Sequence, residues 1–188
     1  MQIVIHRRFR QLQALHVEAL STPEQFLLGV CRCWDAFMEG PDPTQAWREL
    51  APAFAYMNVL GALCAFDCAF KAIHFQRARA LRFLDTDCRR IGIDEAVMLS
   101  AVANLQRGLA RQSAELLREA LTPLGLRDIL PPLARIAAAL DAQGHRLPLW
   151  SDVPADAPAL SRPAYFRAMP STPRSGAGTS SAQPLPIQ

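Results

Sequence analysis

Apolar positions along the chain recur at three- and four-residue steps, and prolines and glycines cut that pattern into segments. Such a repeat puts one side chain per turn on the same helix face, so the chain reads as a series of helices. Over residues 3 to about 20 the face is Ile5, Phe9, Leu12, Leu15 and Ala19, with Arg7, Arg8 and Arg10 mostly off it. Thr22-Pro23-Glu24-Gln25 has the form of a helix start, a hydroxyl cap, a proline that needs no donor and a Gln able to close a capping box. The following face is Phe26, Leu27, Val30, Trp34, Phe37 and Met38, and Gly40-Pro41 stops it. Asp42-Pro43-Thr44-Gln45 repeats the start signal for a short helix with Trp47 and Leu50.

Pro52 is expected to open a new helix, because an interior proline removes a hydrogen bond and clashes with the preceding turn. From Leu50 to Phe66 there are 17 residues without a charge, and the run then passes into the basic segment KAIHFQRARALRF. One long helix is the simplest reading, buried in its first half and charged in its second. A bilayer core needs about 20 apolar residues. This run is shorter, holds Asn58, Gly61 and many alanines, and meets Asp67, so no membrane span is expected. Its face of Met57, Gly61, Cys64 and Cys68 is small and soft, which predicts that another helix packs closely there.

Residues 85–92 break the pattern as a loop. Asp94 is expected to cap a helix with the face Val97, Met98, Ala101, Val102 and Leu105, ending near Gly108. Leu109 to Leu121 forms the next, and a last one runs from about Asp128 to Gln143, with Pro131 and Pro132 confined to its first turn. Gly144 ends it, and His145 and Arg146 suit a helix C-terminus. Residues 148–188 hold eight of the chain's 15 prolines and few large apolar groups, too few to offset ordering entropy, and are expected to be a disordered tail. The prediction is an all-α, irregular bundle of six or seven helices around a central hydrophobic helix in residues 1–147, followed by a Pro/Ser/Ala-rich tail.

Composition agrees: the chain is 51% hydrophobic with 7% aromatics, so alanine and leucine supply much of the core and favour helix over strand. A net charge of +3 does not by itself argue for nucleic acid. Of 20 basic residues 19 are arginine, as a GC-rich bacterial genome would encode. Five cysteines without framework spacing suit reduced thiols in the cytoplasm. At the N-terminus the charges follow the short apolar run, the reverse of a signal peptide, so no secretory leader is expected.

Four sets of residues could carry chemistry or binding. Cys64 and Cys68, at i and i+4 on one helix face, could form a soft-metal site with Cys88, although C-X3-C is not a zinc-knuckle spacing and free cysteine equally behaves as a small buried hydrophobe. Asp67, Lys71 and His74 form a polar stripe that could do acid–base work, or simply an intrahelical ion pair with a peripheral histidine. Arg77, Arg79, Arg82, Arg89 and Arg90 could contact phosphates, but the first three share no helical face and a solvated helix end is the simpler account. The N-terminal helix with Arg7, Arg8, Phe9 and Arg10 could hold an acidic partner or be a bundle helix with a solvated side. No phosphate loop, H-E-X-X-H or G-X-S-X-G occurs, and no cofactor is expected.

Cys88, Ile93-Asp94-Glu95, Leu99, Leu105-Gln106 and Gly144 with Leu147-Pro148 give residues 88–148 a pattern that resembles short, uncharacterised helical proteins of proteobacteria. The resemblance implies a bacterial helical protein and carries no activity. The expected function is non-enzymatic: a cytoplasmic interaction or regulatory protein that binds another protein or itself. A thiol or metal protein, or a nucleic-acid binder through residues 77–90, is the alternative.

Overall fold

The computed structural model describes residues 16–38, 45–79 and 81–149. Among them are six α-helices: α1 (Thr22–Met38), α2 (Gln45–Tyr56), α3 (Leu63–Gln76), α4 (Ile93–Leu105), α5 (Ala110–Leu117) and α6 (Pro123–Ala142), with 3-10 turns at Val17–Ala19 and Leu60–Ala62. No strand forms among the described residues, apart from isolated bridges between His16 and Arg90 and between Arg77 and Leu121. The architecture is the expected all-α bundle.

α1 starts at Thr22, the expected cap itself, so its cap lies one residue earlier than expected. Ser21 rather than Thr22 precedes the helix, and Glu24 Oε2 accepts from the Ser21 amide at 2.9 Å, the return half of a capping box. Every residue from Glu24 to Trp34 is buried, so α1 is enclosed all round rather than along one face. α4 is comparably buried. An aromatic ladder ties these layers together: Phe26 to Phe54 at 5.1 Å, Phe54 to Phe66 at 5.3 Å, Phe66 to Phe70 at 4.4 Å, with Trp34 and Phe83 flanking Phe70 at 5.2 and 5.6 Å. The aromatics are few, but they are concentrated where α1, α2, α3 and the following loop meet.

The single long helix expected from Pro52 does not form. α2 runs through Pro52, where both Pro52 and Arg48, one turn earlier, are exposed. It then ends at Asn58, whose φ of 56° is left-handed. The Val59 amide donates to Phe54 O at 2.8 Å and the Asn58 amide to Ala55 O at 2.9 Å, the paired bonds of a Schellman cap with Asn in the glycine position. Gly108 and Gly144 close α4 and α6 with the same pair of bonds, as expected of them. α3 stops at Gln76 rather than continuing through the arginines. Arg77 turns extended, and residues 81–85 are not helical, with Leu81 and Phe83 buried and Arg82 exposed between them.

α6 begins at Thr122, whose hydroxyl accepts from the Gly125 amide at 3.0 Å, and passes through Pro131 and Pro132. The two lost hydrogen bonds lie on the outer side, while Ile129, Leu133, Ile136 and Leu140 hold the helix to the core. α6 packs antiparallel on α3: Gln76 Nε2 donates to Asp128 at one end, and Asn58 meets Gln143 just beyond the other. The close approach expected at Gly61 is found instead at Gly125, where an added Cβ would lie 2.8 Å from the Gln76 carbonyl oxygen. A Cβ added at Gly61 would meet nothing within 4 Å beyond its own chain neighbours.

Residues 3–15 of the expected first helix, including Arg7, Arg8, Phe9 and Arg10, lie outside the described residues, as does the expected tail from residue 150. The part of that helix that is described is not α-helical. His16 is extended, and the Val17 amide donates to Arg89 O at 2.8 Å.

Candidate functional site

A buried polar cluster in the core joins α1, α4 and the loop 84–92. Arg32 lies in the apolar run LLGVCRCW, and α1 carries it into the interior, where it is 3% exposed. Its Nε donates to Glu95 Oε1 at 2.7 Å and its Nη2 to Glu95 Oε2 at 2.8 Å. Nη2 also donates to Arg90 O at 2.6 Å, and Nη1 to Cys88 O at 2.6 Å and Asp85 O at 3.3 Å. All five guanidinium donors are therefore used. Glu95 is as fully engaged, since its two oxygens also accept from the Leu84 and Gly92 amides at 2.8 and 2.6 Å. The unit is closed, with no donor or acceptor aimed at a ligand, so it is a structural clamp on the loop.

Beside it, Asp94 does not cap α4, which Gly92 precedes. It turns back to receive both Arg79 nitrogens, at 3.0 and 2.6 Å, and the Arg82 amide at 2.9 Å. The hydrogen bonds to Asp94 raise the Arg79 pKa above its ordinary value. Arg32 and Glu95 were not among the candidate residues of the sequence. Their signal was one charge inside an apolar run of a helix, paired with an acid in the first turn of another.

In the basic segment two guanidinium groups are paired within the chain. Arg79 is held by Asp94, and Arg89 Nε pairs with Glu18 at 2.9 Å. Arg77 sits at the bridge to Leu121, and the Arg82 amide and Arg90 carbonyl are committed to Asp94 and Arg32. The polar stripe reduces to an ion pair: Lys71 Nζ lies 2.6 Å from Asp67 Oδ2, and Trp34 Nε1 donates to Oδ1 of the same carboxylate at 3.3 Å. His74 stands apart, its ring 6.4 Å from Trp34 and 5.2 Å from Phe75. The cleft it borders, with Trp34, Asp35, Phe70 and Arg77, has an internal volume of ≈ 10 Å³, space for about one water.

The cysteines separate by environment. Cys31 and Cys33 are buried, and burial raises the first well above its ordinary value and pushes the second up to about 12. Cys64 and Cys68 are exposed, partial burial and then the neighbouring Cys64 raise the Cys68 thiol above its ordinary value, and Cys88 sits in the clamped loop. Among the described residues no three His, Cys, Asp or Glu side chains come together as a metal site, so Cys88 does not complete a trio with the helical pair.

What the structure leaves open is the outer face of α3. The helical dihedrals of Ala62 and Leu63 carry the turn Leu60–Ala62 straight into α3. Gly61, Cys64, Cys68, Lys71 and Phe75 then recur at three- and four-residue steps along the exposed side. Phe75 is 75% exposed and Leu60 52%. A charged carboxylate lies just inside, but Asp67 and Lys71 neutralise one another, so the stripe is apolar apart from one ammonium group.

No family model, curated protein or solved structure matches the chain. No helix among the described residues is long and apolar enough to cross a membrane.

Proposed function

We propose that the protein is a non-enzymatic, cytoplasmic helical module that binds another protein through the outer face of α3. The observation that carries this reading is the exposed stripe Leu60, Gly61, Cys64, Cys68 and Phe75 on a helix whose other sides are packed in the core. Large apolar side chains held out in water are a cost to a lone domain, and a partner that covers them recovers it. The stripe has the spacing by which one helix lies along another.

The test compares the full chain with Phe75→Glu by light scattering after size exclusion and by partner capture. Because Phe75 packs mainly against solvent, the variant is expected to keep the native circular dichroism and melting profile. It is expected to lose complex formation. Equal complex formation by both chains, or turnover of a small molecule by a chain that binds no protein, would overturn the proposal.

A further inference from the structure

The stripe on α3 is complementary to itself, and from this we infer that its partner is a second copy of the chain, docked antiparallel across a two-fold axis at Cys68. This rests on the reading of α3 as a protein-binding face.

Cys68 is the midpoint of the stripe. Gly61 lies seven residues before it and Phe75 seven residues after it, about 10 Å along the helix in each direction. Two copies of α3 related by a two-fold through Cys68 therefore set each Phe75 over the other's Gly61. The sizes match at that point. Phe75 is the most exposed large apolar side chain among the described residues, and Gly61 has nothing within 4 Å of where its Cβ would stand. Leu60, the residue before Gly61, is itself 52% exposed and adds apolar surface beside that open spot. A parallel pairing would instead set Phe75 against Phe75 and leave both glycines uncovered.

Charge also distinguishes the occupants. Lys71 is the one charged side chain on the stripe, and its own Asp67 already holds it at 2.6 Å. In the antiparallel pair the two Lys71 residues lie three residues to either side of the axis, about 9 Å apart along it, and are not opposed. The basic segment Arg7–Arg10 of this chain is a poorer occupant, since it would bring three more positive charges to a face that has no free carboxylate. Single exposed Cys68 side chains then meet at the axis, whereas the two Cys64 residues are held about 12 Å apart along it. A seam of one helix is at the small end of specific interfaces, so the dimer is expected to dissociate on dilution.

The experiment is sedimentation equilibrium of the full chain over a concentration series, with copper–phenanthroline oxidation of variants that keep one exposed thiol. The expected results are a monomer–dimer equilibrium weakened at least about tenfold by Phe75→Glu and by Gly61→Leu. With Cys64 and Cys88 replaced by serine, Cys68 is expected to cross-link two chains rapidly. With Cys68 and Cys88 replaced, Cys64 is expected to do so far more slowly. Equal cross-linking at the two positions overturns the antiparallel axis. A chain that stays monomeric overturns the second copy as partner. If that monomer still captures another protein in a Phe75-dependent way, the face is a binding site with a different occupant; if it captures none, the reading of α3 as a binding face fails as well.

Discussion

Arg32 is surrounded by apolar residues in sequence and by hydrogen-bond acceptors in space. A buried ion pair is costly to break by removing one partner, by about 3–5 kcal/mol, because the remaining charge is stranded. Arg32→Met and Glu95→Leu are each expected to cost that much in urea denaturation. In many proteins replacing both partners restores stability, but here the double variant is expected to recover little. It would strand the carbonyls of Cys88 and Arg90 and the amides of Leu84 and Gly92, all of which bond to the pair. A double variant as stable as the parent would show that the loop finds other partners. The two flanking thiols make a second residue-scale prediction. An unfolded thiol ionises near 9.0, while Cys33 in the fold holds its proton up to about 12. Below 9.0 neither state ionises and the contribution to folding is complete; between 9.0 and 12 the unfolded chain alone loses its proton, so stability falls as pH rises. Cys33→Ala is expected to flatten that alkaline slope relative to the parent, as read by denaturation midpoints across the interval.

At the scale of elements, glycine positions mark which helix faces touch. Gly125 lies under the Gln76 carbonyl, so Gly125→Ala forces α3 and α6 apart and is expected to destabilise by about 1–3 kcal/mol. Gly61→Ala meets open space and is expected to leave stability unchanged or raise it by roughly 0.5–1 kcal/mol through reduced backbone entropy. Measured with the monomer at low concentration, the opposite ranking would refute the placement of α6 on α3. The element boundaries show why pattern alone misplaced these contacts. Small residues are equally consistent with a close approach and with an open face, and both Gly61 and Gly125 lie in helical periods. The end of α3 at Gln76 was hidden in the same way. Arg, Ala and Leu favour helix locally, and what ends it is distant in sequence: the bridge of Arg77 to Leu121, the Ala78 amide bonded to Ala120 O, and the hold of Asp94 on Arg79 and Arg82.

At the scale of the molecule, stability should be graded. α1 and α4 are enclosed, and the clamp joins them, whereas α5 has eight residues with only Ser113 and Leu117 buried. Native-state hydrogen exchange is expected to be slowest in α1 and α4 and fastest in α5. Protection of α5 equal to that of α1 would mean the bundle opens only as a whole. The outer face of α3 is part of the same picture: its inner side is fixed by the aromatic ladder, so the exposed stripe is presented on a rigid element, which suits recognition by shape.

By itself the sequence determined what depends on neighbours along the chain. The all-α class, the glycine ends of α4 and α6 and the Asp67–Lys71 pair follow from residue type and from spacings of three and four, which any helix converts into contact. The tertiary structure alone decided what depends on partners far apart. Arg32 and Glu95 are separated by 63 positions, and nothing local to either shows that they will pair and share the loop's carbonyls and amides between them. The candidate face was decided in the same way: Gly61, Cys64, Cys68 and Phe75 are legible as one stripe, but whether a helix covers it depends on where α6 packs, and α6 packs on the other side.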